Sequence, residues 1–343
     1  MSITVVLQQM VIIFILIGIG MLLYKKNMLS ELTSRQISGI VVNVTNPALL
    51  VCSAFQEGSK VSVRELGIAL IIYLAVYAVL IAASLVIPRI LQVPGMYRYS
   101  YRMLTIFGNT AFIGIPLASA VLGTQSLIFV SIYNLIFNVL IYTFGITLLQ
   151  KAEAMQLAAK ADTAYSRKAQ NAVSGTSSTA DAGGSFAKND TSVASPLWKK
   201  LINAGTVSAA ATIIFYLGSF NVPPIVSSTL TYMGQATTLL SMLVLGVSVA
   251  QMALKDIFSH PKLYAFALLR QILVPVGCIF LFRPVVQNPL VLNTMVLMLA
   301  VPAANMPLML SKQLQVETDT MAQGIILTTV LSLATIPVVC MFL

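Results

Sequence analysis

Apolar residues fall in long blocks at about 4–24, 32–55, 64–87, 98–122, 126–149, 197–217, 228–251, 261–283, 288–313 and 317–343, and polar residues gather between them. A block of roughly 20 apolar residues is what a helix needs to cross the hydrocarbon core of a bilayer. The pattern predicts an all-α membrane protein with ten transmembrane helices. Between the fifth and sixth blocks, 150–196 begins as a helical extension from Lys151 to Gln170 and becomes rich in Ser, Thr, Ala and Gly from Ser174 to Ser195. Such a segment buries too little apolar area to order itself and reads as a flexible linker. The expected division is a first five-helix repeat at 1–149, a linker at 150–196 and a second, inverted repeat at 197–343.

Two blocks are interrupted at mid-membrane depth. In the fourth, Gly108-Asn109-Thr110-Ala111-Phe112-Ile113-Gly114-Ile115-Pro116-Leu117 places two glycines, a proline and two polar side chains where lipid satisfies no backbone group. In the ninth, Ala300-Val301-Pro302-Ala303-Ala304-Asn305-Met306-Pro307-Leu308 repeats the disruption with two prolines and an asparagine. Broken helices in corresponding positions of two halves are a pointer to a midplane binding site.

A shift of 191 residues lays Gly114-Ile115-Pro116-Leu117 onto Asn305-Met306-Pro307-Leu308 and the first block onto the sixth. Five spans per half is an odd number, so the second half enters the membrane upside down relative to the first, and helices 4 and 9 are expected to cross at their breaks. Lys and Arg set the orientation. Lys25, Lys26 and Arg35, then Arg89, Arg98 and Arg102, then the basic residues from Lys151 to Lys200, then Lys255 and Lys262, then Lys312 flank alternate connections, while the others hold only Lys60, Arg64 and Arg283. The positive-inside rule puts the linker in the cytoplasm and both termini outside a cell membrane crossed many times. The Asn189-Asp190-Thr191 sequon falls on the cytoplasmic side by this reading.

The candidate binding residues follow from the breaks. Pro116 and Pro307 kink or unwind their helices, and the recurrence of proline beside Asn or Gly in both halves favours unwinding. Asn305 lies between Pro302 and Pro307 and reads as a site residue. Asn109 is either a site residue or interhelical glue. Asn46, before Pro47 in the second span with Asn43 one turn earlier, is a buried polar patch that is structural or pocket-lining. Arg270 is the one basic residue well inside a span; it either balances a bound carboxylate or holds the carbonyls freed by a helix break. Asn134, paired with Asn138 at i, i+4, and Gln323 are candidates to flank the crossing, whereas Asp319 and His260 read as helix-start residues.

Composition narrows the class. Hydrophobic residues make up 58% of the chain and charged residues 9%, which excludes a soluble core of this size. The net charge of +10 lies between apolar runs, with no basic patch interleaved with aromatics, so no nucleic-acid partner is indicated. Cys52, Cys278 and Cys340 have no metal or disulfide spacing and read as buried thiols. No Walker loop, metal motif or nucleophile-plus-base constellation is present, which speaks against an enzyme and against a cofactor. The first span ends in Tyr24-Lys25-Lys26 with no cleavage site and is expected to remain in the mature protein. No Asp or Glu lies beside either break, so a carboxylate cage for sodium or a proton relay has no evident members.

Three further motifs, Asn46-Pro47-Ala48-Leu49, Gly108-Asn109-Thr110 through Ile115-Pro116-Leu117, and Gly324-Ile325-Ile326-Leu327-Thr328-Thr329-Val330-Leu331-Ser332 with Thr335-Ile336-Pro337, give the chain its resemblance. Together they resemble the auxin efflux carrier family, bacterial relatives of the plant PIN carriers, within a bile-acid/sodium symporter-like fold. The resemblance implies a scaffold of spans 1, 2, 6 and 7, a mobile domain of spans 3–5 and 8–10, and a homodimer in lipid. It also implies a small organic anion of the malonate or auxin class, bound where spans 4 and 9 cross and moved by an elevator-like shift. Carried over residue by residue, the crossing comprises Asn109, Gly114, Pro116, Pro302, Asn305 and Pro307. The short linker and the absence of an acid beside the crossing depart from the plant carriers. A secondary transporter or uniporter is the expected function; a channel gated at the crossing, or a sensor signalling through the linker, are the alternatives.

Overall fold

The computed structural model describes residues 3–55, 61–156, 204–218, 222–251, 261–314, 316 and 319–343. The expected linker lies almost wholly outside these residues, as do His260 and Glu317. The described chain is helical: α1 (Ile3–Lys25), α2 (Glu31–Ser53), α3 (Val63–Ile90), α4 (Arg98–Ile106), α5 (Thr110–Leu122), α6 (Thr124–Gln156), α7 (Ala204–Gly218), α8 (Pro224–Ala250), α9 (Pro261–Phe282), α10 (Pro289–Ala300), α11 (Met306–Gln313) and α12 (Asp319–Cys340). Seven of these, α1, α2, α3, α6, α8, α9 and α12, are long and apolar enough to cross a membrane; α5, α7 and α10 are shorter apolar helices.

Helix starts are built from local chemistry. Ser62 accepts from Glu65 N–H at 3.2 Å while Glu65 Oε2 accepts from Ser62 N–H at 3.0 Å, a reciprocal cap that begins α3. The other carboxylate oxygen of Glu65 accepts from Asn288 Nδ2 at 2.9 Å, and Asn288 itself caps α10 through Leu290 N–H. One acid therefore ties two helix starts together at the same end of the molecule. Inside the helices, three of the four five-residue π turns, Val41–Thr45, Thr110–Gly114 and Leu269–Leu273, end two residues before a proline, Pro47, Pro116 and Pro275; the fourth, Ile141–Gly145, has no proline after it. Proline has no N–H to donate and its ring clashes with the carbonyl four residues back, so the preceding turn widens.

The helices pack in two groups. In one, α8 lies between α1 and α2, and α7 packs on the second half of α2. The α1–α8 contact is backbone on backbone, since a Cβ on Gly246 would stand 2.2 Å from Ile17 O and one on Gly20 2.6 Å from Leu243 O. In the other, α5, α6, α9 and α12 surround α10, which is buried on every side from Thr294 to Ala300, and α3 packs on α4 and α6. The groups meet where α7 lies on α6, α12 on α1, and α5 on α8. Outward faces carry large apolar side chains such as Ile15, Leu22, Ile71, Leu74 and Phe280, as a surface facing hydrocarbon requires.

Candidate functional site

The site is built where α4 gives way to α5 and α10 to α11. Phe107 leaves α4 in an extended conformation (φ −102°, ψ 101°), and Val301 leaves α10 likewise (φ −58°, ψ 148°). Pro302 favours the extended form at Val301 by steric conflict with the residue before it. The two extended segments cross and pair antiparallel at Gly108 and Ala303. Asn109 N–H donates to Pro302 O at 2.7 Å and Ala304 N–H to Phe107 O at 2.9 Å. Ala303 N–H donates to Thr328 Oγ1 of α12 at 3.2 Å. Backbone groups that neither helix can satisfy are thus paired with each other, which lets irregular chain persist at this depth. Gly108 is needed for the approach: a Cβ there would meet Arg270 Nη2 at 2.9 Å and Val301 Cγ2 at 3.0 Å.

Four half-helix ends converge on this bridge, the C-terminal ends of α4 and α10 and the N-terminal ends of α5 and α11. Arg270, carried by the π turn of α9, donates from Nη1 to Leu299 O at 2.9 Å and to Val301 O. A cation thereby offsets the negative end of α10. At the start of α5, Asn109 Oδ1 accepts from Phe112 N–H at 3.2 Å.

A cavity of about 820 Å³ opens from the crossing. Its deep wall holds Asn46, Asn109, Thr110, Asn134, Asn138 and Asn305. Its mouth holds Glu31 and Arg35 at the start of α2, Ala204 at the start of α7 and Gln251 after α8, all beside the connections rich in Lys and Arg. Thr110 Oγ1 donates to Asn134 Oδ1 at 2.6 Å, Asn138 Nδ2 to Asn134 O at 2.9 Å, and Asn46 Nδ2 to Ala111 O at 3.1 Å. These bonds orient the amides. With Asn46 Nδ2 and Asn109 Oδ1 engaged, Asn46 Oδ1 and Asn109 Nδ2 have no partner among the described residues. Asn305 is half-buried at the cavity wall, at the start of α11.

A family profile described as "Membrane transport protein" matches residues 5–340. The chain belongs to this family, the auxin efflux carrier type of membrane transporter. No curated protein matches it. The family is one of transporters and not of enzymes, and with its long apolar helices the protein is a multi-pass membrane transporter.

In this transporter the ten residues singled out from the sequence fall into two sets. Asn46, Asn109, Asn134 and Asn305 line one cavity. Gly114, Pro116, Pro302, Pro307, Arg270 and Gln323 do not. Gly114 faces the Met298 side chain, Pro116 follows the π turn of α5, Pro302 supplies the carbonyl of the bridge, and Pro307 O accepts from Ser311 Oγ at 2.9 Å. Gln323 is half-buried on α12, whose wall positions are Ala322, Ile325, Ile326 and Thr329. Arg270 sits behind the bridge, holding carbonyls of the break. The cavity wall also holds residues that were not chosen as binding candidates from the sequence: Thr110, Thr329, and Ser34, Arg35 and Ser38 of α2. A signal for the last group exists, because Glu31, Ser34, Arg35, Ser38, Val42 and Asn46 recur at helical spacing and form one stripe.

Proposed function

We propose that the protein is a secondary transporter or uniporter that carries a small organic anion, a mono- or dicarboxylate, by elevator-type alternating access. The observation that carries this reading is the paired break: two half-helix N-termini, α5 and α11, meet at the wall of one cavity. Exposed N–H groups and dipole ends favour a carboxylate there without a full positive charge in the wall. Asn109 Nδ2 and the Asn305 amide supply side-chain donors, while Arg270 offsets the opposing C-terminal end of α10.

The moving body is α3–α6 with α9–α12, which contains both breaks, and the scaffold is α1, α2, α7 and α8. The two halves of each broken helix count as one span, so the helices read as ten spans in two inverted five-helix repeats, with the linker cytoplasmic and both termini outside. On that topology the cavity mouth faces the cytoplasm. The few hydrogen bonds between the groups, Asn46 to Ala111 among them, suit two states of similar free energy.

The test is the current from proteoliposomes on a solid-supported membrane, challenged with malonate, malate, lactate, pyruvate and indole-acetate, each with and without sodium and a pH step. A saturable response to at least one acid, suppressed by Asn305→Ala, is expected. For electroneutral acids the same panel is read by uptake of labelled acid. Absence of both current and uptake for every acid, with the protein folded, would overturn the anion reading.

A further inference from the structure

Arg270 has a property that its role behind the bridge does not account for. It is the only charged side chain among the buried described residues, at 2% exposure. The described acids, Glu31, Glu65, Glu153 and Asp319, all lie near helix ends and none is buried. Its partners are the neutral carbonyls of Leu299 and Val301, and its Nε has no partner among the described residues. A neutral donor such as Gln would offset a helix end at less cost, because a buried charge is expensive in a membrane protein. Since Arg270 is bonded to α10 itself, its charge moves wherever the crossing moves.

We infer that Arg270 is a resident countercharge of the moving body. This rests on the elevator reading above. The body without substrate then crosses the membrane field with one uncompensated positive charge; with a monocarboxylate bound it crosses neutral, and with a dicarboxylate it carries one negative charge. Membrane potential therefore acts on the return of the unloaded body and is silent on the step that carries a monoanion. The site is matched in charge to monovalent acids.

The unloaded step can be tested without any substrate. Ala111, half-buried at the cavity wall, is replaced by Cys, and the protein is placed in oriented proteoliposomes with the linker side outward. Labelling by an impermeant maleimide from that side is timed under potassium diffusion potentials of both signs. The three native cysteines are buried and set the background. With the linker side negative, the charge holds the cavity open and labelling is fast. A total change of about 100 mV, from linker side negative to linker side positive, slows it by up to about 50-fold if the charge crosses the whole field. The additional substitution Arg270→Gln is expected to abolish this dependence and Arg270→Lys to keep it.

Labelling that ignores potential in the Arg270 protein overturns the inference, as does equal dependence in Arg270→Gln. Should Arg270→Gln fail to fold, the Arg270 protein and Arg270→Lys alone still decide, because loss of voltage dependence in either contradicts a moving countercharge. The acid panel stands apart: transport of an acid together with voltage-independent labelling sinks the countercharge and leaves the anion reading in place.

Discussion

Asn46 of α2 donates from Nδ2 to the carbonyl of Ala111 in α5 at 3.1 Å, a hydrogen bond that joins the scaffold group to the group containing both breaks. If the second group slides past the first, this bond exists in one state only. Asn46→Ala removes roughly 1 kcal/mol from that state. The expected outcome is a shift of about fivefold toward the alternative state, read as a second distance population between spin labels at Gln36 on α2 and Met96 beside α4. An unchanged distance distribution would show that the bond does not discriminate between states.

The α1–α8 contact depends on two glycines and not on side-chain interlock. A Cβ at Gly246 would lie 2.2 Å from Ile17 O and 2.8 Å from the Cα of Gly20, so the backbones themselves must part to admit it. Gly246→Ala is expected to cost about 1–3 kcal/mol through this overpacking, and Gly246→Leu to prevent assembly of the scaffold. Thermal unfolding in detergent checks both. Gly277, whose added Cβ would meet nothing within 4 Å, is the control, and Gly277→Ala should leave the midpoint near that of the parent.

Thr328 holds the bridge from the α12 side. Its hydroxyl accepts from Ala303 N–H at 3.2 Å and donates into its own helix, to Gly324 O at 2.7 Å. Thr328→Val keeps the shape and removes the acceptor, leaving a buried N–H unpaired at a cost of about 1–3 kcal/mol. Faster amide exchange at Ala303, measured by mass spectrometry of the 300–308 segment, is the expected signature. Protection equal to the parent would mean that the bond contributes nothing to the crossing.

Both breaks are legible in the sequence because proline and asparagine together at membrane depth, with glycine beside them in the first break, would each weaken a continuous helix surrounded by lipid. Pairing of the breaks through Asn109 and Pro302 follows once two such segments must satisfy each other's backbone. The direction of each side chain is harder to read. Pro116 and Pro307 act on the backbone and present nothing to the cavity, so their conspicuous positions mark the site without belonging to its wall. Arg270 reads equally well as a carboxylate partner or a carbonyl holder, and only the path of α10 distinguishes them. The polar stripe on α2 resembles the ordinary polarity of a helix end until the helix is seen to lean over a cavity, which is a fact of packing between distant segments.

Asn109 offers a separation of folding from recognition. Its Oδ1 is engaged by Phe112 N–H and caps α5, while its Nδ2 is buried with no partner among the described residues. Asn109→Asp retains the acceptor and adds negative charge at a helix N-terminus, which offsets part of the cost of burying a carboxylate at this 2% exposed position. The same change removes the donor and sets a carboxylate where the bound acid would bring its own. Anion affinity is therefore expected to fall by more than about tenfold while the α5 cap is kept and the fold retained, because like charges in a partly dehydrated cavity repel strongly. Asn109→Ala loses the cap as well as the donor, so it should lower both affinity and midpoint. Parallel loss of stability in the two variants would assign Asn109 to the fold alone; loss of affinity in Asn109→Asp with stability intact assigns its amide to the anion.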